Sequence, residues 1–473
     1  MFDDTIAAIS TPPGEGGIGI VRLSGADAIT ITSRLFYSPK GRVLSRARSH
    51  TIVYGFIKDP LTGETLDEVL VTLMRSPHSY TREDVVEINC HGGIFAVRKV
   101  LELVLKNGAR LAEPGEFTRR AFLNGRIDLS QAEAVIEIIR AKTEVSQRLA
   151  LEQLRGSLSE KITALRERLL RLCAHIEACI DFPEDEIAPA TTEAIISELD
   201  SIIHELTVLS SSYEEGRLMI EGVRVAIVGR PNTGKSSLLN ALLKRDRAIV
   251  TETPGTTRDV LEELLNIKGL LVRIMDTAGI REAHDMAEIE GVRRSLQAID
   301  DADLVIILLD AARPTSKEDE YILEKVIEKD KRFIIGINKS DLIEGTDASV
   351  PLRSAGSGTP YYLRLSAKTG LGLDKLKDAI FELSTKKGVR ENRRFSGDSG
   401  SEGLIITNLR HRINIDNTIA SLRRAYEDII NRRPYEIIAI SLREGLDYLG
   451  QIVGAVTTED ILNRIFSEFC IGK

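Results

Sequence analysis

Short runs rich in Val and Ile alternate with clusters of Gly and Pro over residues 1–118. Runs of this kind predict strands, and four of them stand out: Ile18–Leu23, Thr51–Phe56, Glu68–Met74 and Asp84–Asn89. A stretch with helical spacing of its apolar residues, Gly93–Lys106, follows the last run. The pattern predicts an α+β domain over residues 1–118.

The pattern changes at about Arg119, after which Gly and Pro become scarce. Apolar residues then recur at helical spacing, most regularly from Leu149 to Leu172. Pro183 and Pro189 interrupt this spacing inside an acidic segment. Residues 119–216 are therefore predicted to form the first part of a helical domain.

Strand-like and helical patterns alternate from Val223 to about Leu383, which is typical of a mostly parallel sheet with crossover helices. Helical spacing returns after residue 403. We predict an α/β domain over residues 217–384, inserted between the first part of the helical domain and a second part over residues 385–473. The predicted fold class is multidomain, combining α/β, α+β and all-α domains.

Composition limits the class of protein. The chain has 473 residues and a formal net charge of −8, which argues against nucleic-acid binding over the whole surface. No apolar run approaches the roughly 20 residues of a membrane span, and the N-terminus is acidic, so we expect no membrane span and a cytoplasmic location. The spacing of Cys173 and Cys179 does not fit a zinc site, and we expect these thiols and Cys90 to be buried.

A phosphate-binding loop is predicted directly after the apolar run Val223–Val228. Residues 229–236 read Gly-Arg-Pro-Asn-Thr-Gly-Lys-Ser, the P-loop pattern G-x₄-G-K-S between a strand and a helix. Glycines let backbone N–H groups surround phosphates at the helix N-terminus. Lys235 is expected to reach the β- and γ-phosphates and Ser236 to bind Mg²⁺. The predicted nucleotide contacts of this loop are Asn232, Thr233, Gly234, Lys235, Ser236 and Ser237.

Two further segments suit the phosphate end of such a site. Asp276-Thr-Ala-Gly279 follows the apolar run Leu271–Met275, so the aspartate could hold Mg²⁺ through water and the Gly279 N–H could sense the γ-phosphate. Residues 255–259 occupy the position of a switch loop, in which Thr257 is expected to coordinate Mg²⁺ when a γ-phosphate is present.

The base end of the site indicates GTP. Phe333–Ile337 leads into Asn338-Lys339-Ser-Asp341, and the Asp341 carboxylate can accept hydrogen bonds from the guanine N1–H and amino group. Adenine lacks both donors on that edge. Ser366-Ala367-Lys368 follows the run Tyr361–Leu365 and supplies a second loop against the base. The four motifs in this order predict a GTPase.

One position departs from the pattern of many small GTPases. A glutamine that orients the attacking water directly follows D-x-x-G in those proteins, whereas this chain has Ile280. A nearby glutamate could take this role, and the candidates are Glu282, Glu288 and Glu290.

With these motifs assembled, the whole chain resembles the MnmE (TrmE) family of bacterial tRNA-modification GTPases. The resemblance includes Thr11–Gly19, Pro114–Asn124, the acidic Asp181–Glu186 and the tail Phe469-Cys-Ile-Gly-Lys473. It implies hydrolysis when two G domains pair around K⁺, with Asn232, Thr251, Thr253 and Thr256 at the K⁺ position. Thr251 and Thr256 are thereby nucleotide-site residues, and Glu288 is the implied catalytic glutamate.

The resemblance also assigns the N-terminal domain. It implies a tetrahydrofolate-binding module that forms the homodimer and takes a 5-formyl- or 5,10-methylene-tetrahydrofolate. The matching folate positions are Arg22, Glu87, Arg126 and Lys473. Some relatives have lysine where this chain has Arg126, and the two side chains differ in geometry.

A flavin-dependent partner, MnmG, is implied as well. Together the two proteins place a carboxymethylaminomethyl-type group on C5 of the wobble uridine of certain tRNAs. Cys470 matches a cysteine that the family needs for this modification. Two alternatives stay open from the residues themselves: a regulatory GTPase for ribosome or RNA assembly, and a folate-dependent transferase that acts alone.

Overall fold

A computed structural model of the chain describes residues 4–181, 189–246, 263–275, 296–343, 361–385 and 404–473. The strands are β1 (Ile6–Ile9), β2 (Gly19–Ser24), β3 (Phe36–Tyr37), β4 (Thr51–Lys58), β5 (Thr65–Met74), β6 (Val85–Cys90), β7 (Arg110–Leu111), β8 (Val223–Val228), β9 (Glu263–Ile267), β10 (Leu270–Met275), β11 (Leu304–Asp310), β12 (Arg332–Asn338) and β13 (Tyr361–Arg364).

The helices include the predicted stretch Gly93–Lys106, observed as Ile94–Lys106, and a helix at Ala28–Leu35 that the sequence pattern did not predict. They are α1 (Ala28–Leu35), α2 (Ile94–Lys106), α3 (Glu116–Leu123), α4 (Leu129–Arg140), α5 (Glu144–Leu154), α6 (Ser157–Asp181), α7 (Pro189–Ser211), α8 (Tyr213–Glu221), α9 (Lys235–Asp246), α10 (Lys317–Glu328), α11 (Leu373–Thr385), α12 (Leu409–Ile430), α13 (Tyr435–Val453) and α14 (Glu459–Ser467). Across the ranges described, none of them is both long and apolar enough to cross a bilayer.

The chain forms two compact units. The first unit contains Met1–Ile136, Glu152–Glu186 and Asn431–Lys473, and the second contains Glu137–Leu151 and Ile187–Ile430. This grouping follows spatial contact, so it places helices from both ends of the helical sequence in each unit.

A sheet dominates the first unit. Its seven strands, counted over the described residues, have the order β3-β4-β5-β6-β2-β1-β7, and only the pairing of β1 with β7 is parallel. Alternate residues of the central strands, such as Val71 and Ile88, are buried against α1 and α2 because successive side chains point to opposite faces. The other face carries a direct cross-strand pair, Arg22 on β2 opposite Glu87 on β6.

Helices from before and after the α/β segment pack together. Within the first unit α6 contacts α13, through buried residues at helical spacing such as Ile162 and Leu169 on α6. Within the second unit α7 contacts α12. Because each pair joins a helix preceding the α/β segment to one following it, the predicted insertion in the helical sequence agrees with the observed packing.

The second sheet, in the second unit, is mostly parallel as predicted. Its order is β13-β12-β11-β8-β10-β9 over the described strands, and only β9 and β10 are antiparallel. The chain runs from β8 to one side of the sheet and then crosses to β11 on the other. Loops that follow β8, β11, β12 and β13 therefore meet at one edge, where ligands of such sheets bind.

A buried arginine holds several segments of the first unit together. Arg120 on α3 is fully buried and forms ion pairs with Asp4, Glu83 and Glu116 at 2.7, 3.3 and 3.1 Å. Burial acts to raise the pKa of Glu116, but hydrogen bonds from Arg110, the Glu113 N–H and Arg120, with the charge of Arg110, together lower it. Glu116 is thus charged and depends on the guanidinium groups around it.

Replacing this guanidinium tests the dependence. We expect Arg120→Met to destabilise the protein by about 3–5 kcal/mol, because Glu83 and Glu116 would remain buried without their shared cation. Urea unfolding followed by far-UV circular dichroism measures the lost stability as a lower midpoint of the first transition. Arg98→Met, at an exposed pair with Glu102, is the matched control and should leave the midpoint in place. Equal midpoints for both variants would contradict the role of Arg120 as the shared cation of Glu83 and Glu116.

Candidate functional site

The loop between β8 and α9 has the backbone conformation of a phosphate cradle. Gly229, Asn232 and Gly234 have φ of 146°, 64° and 95°, which glycine adopts readily and asparagine tolerates. A Cβ on Gly229 would collide with the carbonyl of Leu308, and one on Gly234 would collide with Asn338. The glycines of the predicted motif are therefore required by close packing as well as by φ.

Lys235 begins α9 and points back over this loop. Its ammonium donates to the carbonyls of Gly229 and Arg230 at 2.7 and 2.9 Å, and burial lowers its pKa. Thr233 is buried and donates its hydroxyl to Arg230 at 2.8 Å. Phosphate oxygens are stronger acceptors than carbonyls, so the same ammonium suits a nucleotide phosphate.

Two other predicted residues lie in the first turn of α9. Ser236 is half-buried and Ser237 is exposed. Since the first N–H groups of a helix have no partner within it, this turn favours an anion. The Ser236 hydroxyl offers an oxygen ligand, the ligand type that Mg²⁺ prefers.

Asn338 joins the phosphate loop to the base end. Its side chain is buried at the end of β12, donates Nδ2–H to the carbonyl of Thr233 at 2.8 Å and accepts from the Ala367 N–H at 3.0 Å. The amide thus spans the loops after β8, β12 and β13. The structure brings the two predicted ends of the nucleotide site together at this residue.

The predicted guanine-binding carboxylate is accessible. Asp341 is exposed and accepts a hydrogen bond from Ser366 at 2.6 Å. That hydrogen bond, with the charge of Lys368, lowers the pKa of Asp341. A carboxylate that is oriented, ionised and open to solvent has the properties needed to accept two donors from guanine.

Sequence reasoning missed a buried partner of the base loop. Asp310 ends β11, is 6% exposed and accepts from the Lys339 ammonium at 2.7 Å. Burial acts most strongly and would raise its pKa, but the Lys339 hydrogen bond, the Ala312 N–H and the nearby positive charges together lower the pKa. An aspartate that ends the uniformly apolar run Leu304–Leu309 was a signal that could have identified it.

Several predicted residues lie outside the described ranges. They are Thr251, Thr253, Thr256, Thr257, Asp276, Gly279 and Glu288.

The predicted folate residues meet at the first unit's sheet. Arg22 pairs with Glu87 at 2.8 Å and donates to the carbonyl of Gly472 at 3.2 Å, which places the C-terminal residues beside β2. Lys473 is half-buried, and burial followed by the charge of Arg22 lowers its pKa. The Arg126 guanidinium lies 4.7 Å from the centre of the Tyr80 ring.

The rings of Tyr80 and Phe117 lie close to these cations, and we call the two rings the aromatic floor. The Arg22 guanidinium lies 5.9 Å from the Tyr80 ring and 5.7 Å from the Phe117 ring. The Tyr80 hydroxyl hydrogen-bonds to Thr118 at 2.9 Å, which fixes the ring. A flat, partly anionic molecule could stack on these rings and pair with the cations, so the chemistry of the side chains fits a folate.

The cysteines divide into two groups. Cys90 and Cys173 are buried as predicted, and burial raises the pKa of each to about 11, which keeps the thiols protonated. Cys179 is half-buried rather than buried, because it lies near the end of α6. Cys470 is exposed, and its carbonyl accepts from the Gly115 N–H at 3.4 Å.

Comparison with known proteins identifies the family. Residues 129–470 match the family model for the MnmE helical domain, and residues 5–126 match that for the GTP-binding protein TrmE N-terminus. The chain belongs to the MnmE family. The tRNA modification GTPase MnmE of Carboxydothermus hydrogenoformans is 49% identical over 473 residues, and that of Moorella thermoacetica is 52% identical over 480 residues. Both alignments cover 100% of each chain.

The predicted fold class is confirmed by these matches together with the two sheets and the paired helices. A solved structure of Era in complex with MgGDPNP and 16S ribosomal RNA nucleotides is 26% identical and covers 42% of this MnmE-family chain and 66% of its own. Its TM-score of 0.28 is too low to support a conclusion.

The role of the Asn338 amide in linking the loops can be tested with an almost isosteric substitution. Asn338→Asp keeps the acceptor for Ala367 but turns an oxygen toward the Thr233 carbonyl in place of the N–H donor. We expect GTP affinity to fall roughly 10- to 100-fold, the cost of an unmade buried hydrogen bond. Isothermal titration calorimetry with GTP measures it.

The matched control is Asn266→Asp in the same unit. Asn266 accepts from the Gly269 N–H at 2.9 Å, and a carboxylate can do the same. Its GTP affinity should match the wild type. Equal affinities for both variants would exclude Asn338 as the link between the loops.

Proposed function

We propose that this chain uses GTP hydrolysis to drive modification of the wobble uridine of certain tRNAs. Family membership makes it a GTP-binding, GTP-hydrolysing enzyme of tRNA modification. The proposal adds the reaction: with the flavin-dependent partner MnmG, the chain adds a carboxymethylaminomethyl-type group to C5. The observation that carries it is the seating of the tail with Cys470 and Lys473 beside Arg22 and Glu87.

The second unit would supply the hydrolytic site. Asp341 would accept the guanine donors, and Lys235 with the loop N–H groups would hold the phosphates. Ser236 and Thr257 would hold Mg²⁺, which neutralises phosphate charge when bound. Asp276 and Gly279 would complete the phosphate end.

Potassium dependence is the second part of the hydrolytic proposal. Asn232 is exposed with φ of 64°, so its amide oxygen is accessible at the mouth of the loop. It would share K⁺ with Thr251, Thr253 and Thr256 when two G domains pair. Glu288 would then orient the attacking water, a role that Ile280 cannot perform.

The first unit would bind the one-carbon donor. Support comes from the aromatic floor of Tyr80 and Phe117 and from the cations above it. Glu87 would accept from a pterin N–H group, as a carboxylate held by Arg22 can. A 5-formyl- or 5,10-methylene-tetrahydrofolate bound there would bring its one-carbon group toward the tail that carries Cys470.

The remaining parts of the proposal concern organisation. We place the domains at residues 1–118, 119–216, 217–384 and 385–473, with the homodimer formed by the first of them and the protein in the cytoplasm. A regulatory GTPase for ribosome or RNA assembly is the alternative. It would make no use of the cation and ring cluster around Arg22 and Tyr80.

The proposed reaction is tested in a bacterial strain that lacks its own copy of the gene. Wild type should restore the modified wobble uridine, measured by mass spectrometry of nucleosides from bulk tRNA. Glu288→Ala should not restore it, because GTP would be bound but not hydrolysed. Glu290→Ala, two residues away, is the control and should restore it. Unchanged nucleosides in the deletion strain would favour the assembly GTPase.

Potassium activation has its own measurement. GTP hydrolysis at equal ionic strength should be roughly tenfold or more faster in KCl than in NaCl, about 1.4 kcal/mol of transition-state stabilisation. Asn232→Ala should abolish the difference, since the amide oxygen would be lost. Asn240→Ala, at an exposed position of α9, should keep it. Identical rates of the wild type in the two salts would refute K⁺ activation.

A further inference from the structure

A cavity of about 510 Å³ opens beside the proposed folate residues, within the first unit. This volume lies within the range of ligand sites, roughly 300–1,000 Å³. We call it the basic cavity, and it is lined by His50, Met74, Pro77, His78, Ser79, Tyr80, Arg82 and Arg126.

The loop between β5 and β6 carries Arg82 and orients its side chain. Arg82 has φ of 60°, its carbonyl accepts from the Ser76 hydroxyl at 2.8 Å, and its guanidinium donates to the Asn124 carbonyl at 3.0 Å. Ser79 donates its hydroxyl to the Glu83 carbonyl at 2.5 Å. The guanidinium is therefore fixed at the cavity wall by neutral groups.

The charge on the cavity lining is positive. Among the described residues that line it are two guanidinium groups and two imidazoles, and none of these lining residues is acidic. Neither Arg82 nor Arg126 forms an ion pair with a carboxylate among the residues that the structure describes. Exposed arginines without a carboxylate partner favour an anionic ligand, and a guanidinium can bind a carboxylate through two hydrogen bonds.

Tyr80 makes the basic cavity continuous with the proposed folate site. Its ring lines the cavity, while Arg126 and Arg22 lie 4.7 and 5.9 Å from its centre. Arg126 belongs to both sites. A molecule stacked on the aromatic floor beside Arg22 can thus extend past Tyr80 into the cavity.

We propose that the basic cavity binds the anionic glutamate tail of the folate, so that the chain selects folates with several γ-linked glutamates. This inference rests on the proposed folate site. Each added glutamate contributes one carboxylate, and Arg82 would pair with one of them while His50 and His78 donate ring N–H groups. Arg126 would hold the carboxylate nearest the ring system.

Calorimetry on the full-length protein tests the proposal with 5-formyl-tetrahydrofolate carrying one or three glutamates. The triglutamate should bind about tenfold more tightly, as expected for the two solvent-exposed ion pairs that its two added carboxylates can form. This ratio should shrink as KCl is raised, since salt screens exposed charges. Arg82→Gln should reduce the ratio toward one. Arg98→Gln, at an exposed arginine outside the cavity, should leave it unchanged.

Each other outcome has a distinct meaning. Equal affinities for the two folates would overturn the tail site and leave the folate site standing, whereas binding of neither folate would overturn both. Inorganic phosphate should not displace the triglutamate. Displacement by phosphate at similar concentrations would show that the cavity binds anions in general and would overturn the selection of polyglutamates. If Arg82→Gln weakens binding of tRNA but preserves the folate ratio, the cavity contacts RNA and the proposal is wrong.

Discussion

One buried amide determines the geometry of the nucleotide site. Asn338 donates to the Thr233 carbonyl and accepts from the Ala367 N–H, so it fixes the distance between the phosphate loop and both base loops. A buried amide satisfied on both sides is costly to displace, because either group left unpaired loses its hydration without compensation. Gly234 packs so closely on this amide that a side chain there would collide with it.

Cations in this protein differ according to whether a carboxylate faces them. Arg120 is paired with buried Glu83 and Glu116, and Lys339 with buried Asp310, so both cations hold segments in place. Arg82 and Arg126, by contrast, face an open cavity and form no such pair within the described ranges. The physical distinction is solvation. A buried charge needs a partner of opposite charge, whereas an exposed charge is stabilised by water until a ligand binds.

The C-terminal tail depends on a backbone conformation rather than on a side chain. Gly472 has φ of 96°, and a Cβ there would collide with the carbonyl of Ile9. Its own carbonyl accepts from Ser10 and Arg22. This close approach of the tail to β1 and β2 places Lys473 and Cys470 on the first unit, although they are the last residues in sequence.

The sequence by itself determined the alternation of strands and helices around the nucleotide motifs, the order of those motifs and the guanine preference. Periodicity and turn residues act locally, and strand β8 begins and ends where the pattern predicts, at Val223 and Val228. Tertiary structure alone decided that Asp310 meets Lys339, and it showed the contact by which the tail reaches Arg22, the Gly472 carbonyl. It also decided that Arg82 shares a cavity with Arg126. Such contacts depend on how strands and helices pack, and residue spacing does not record that packing.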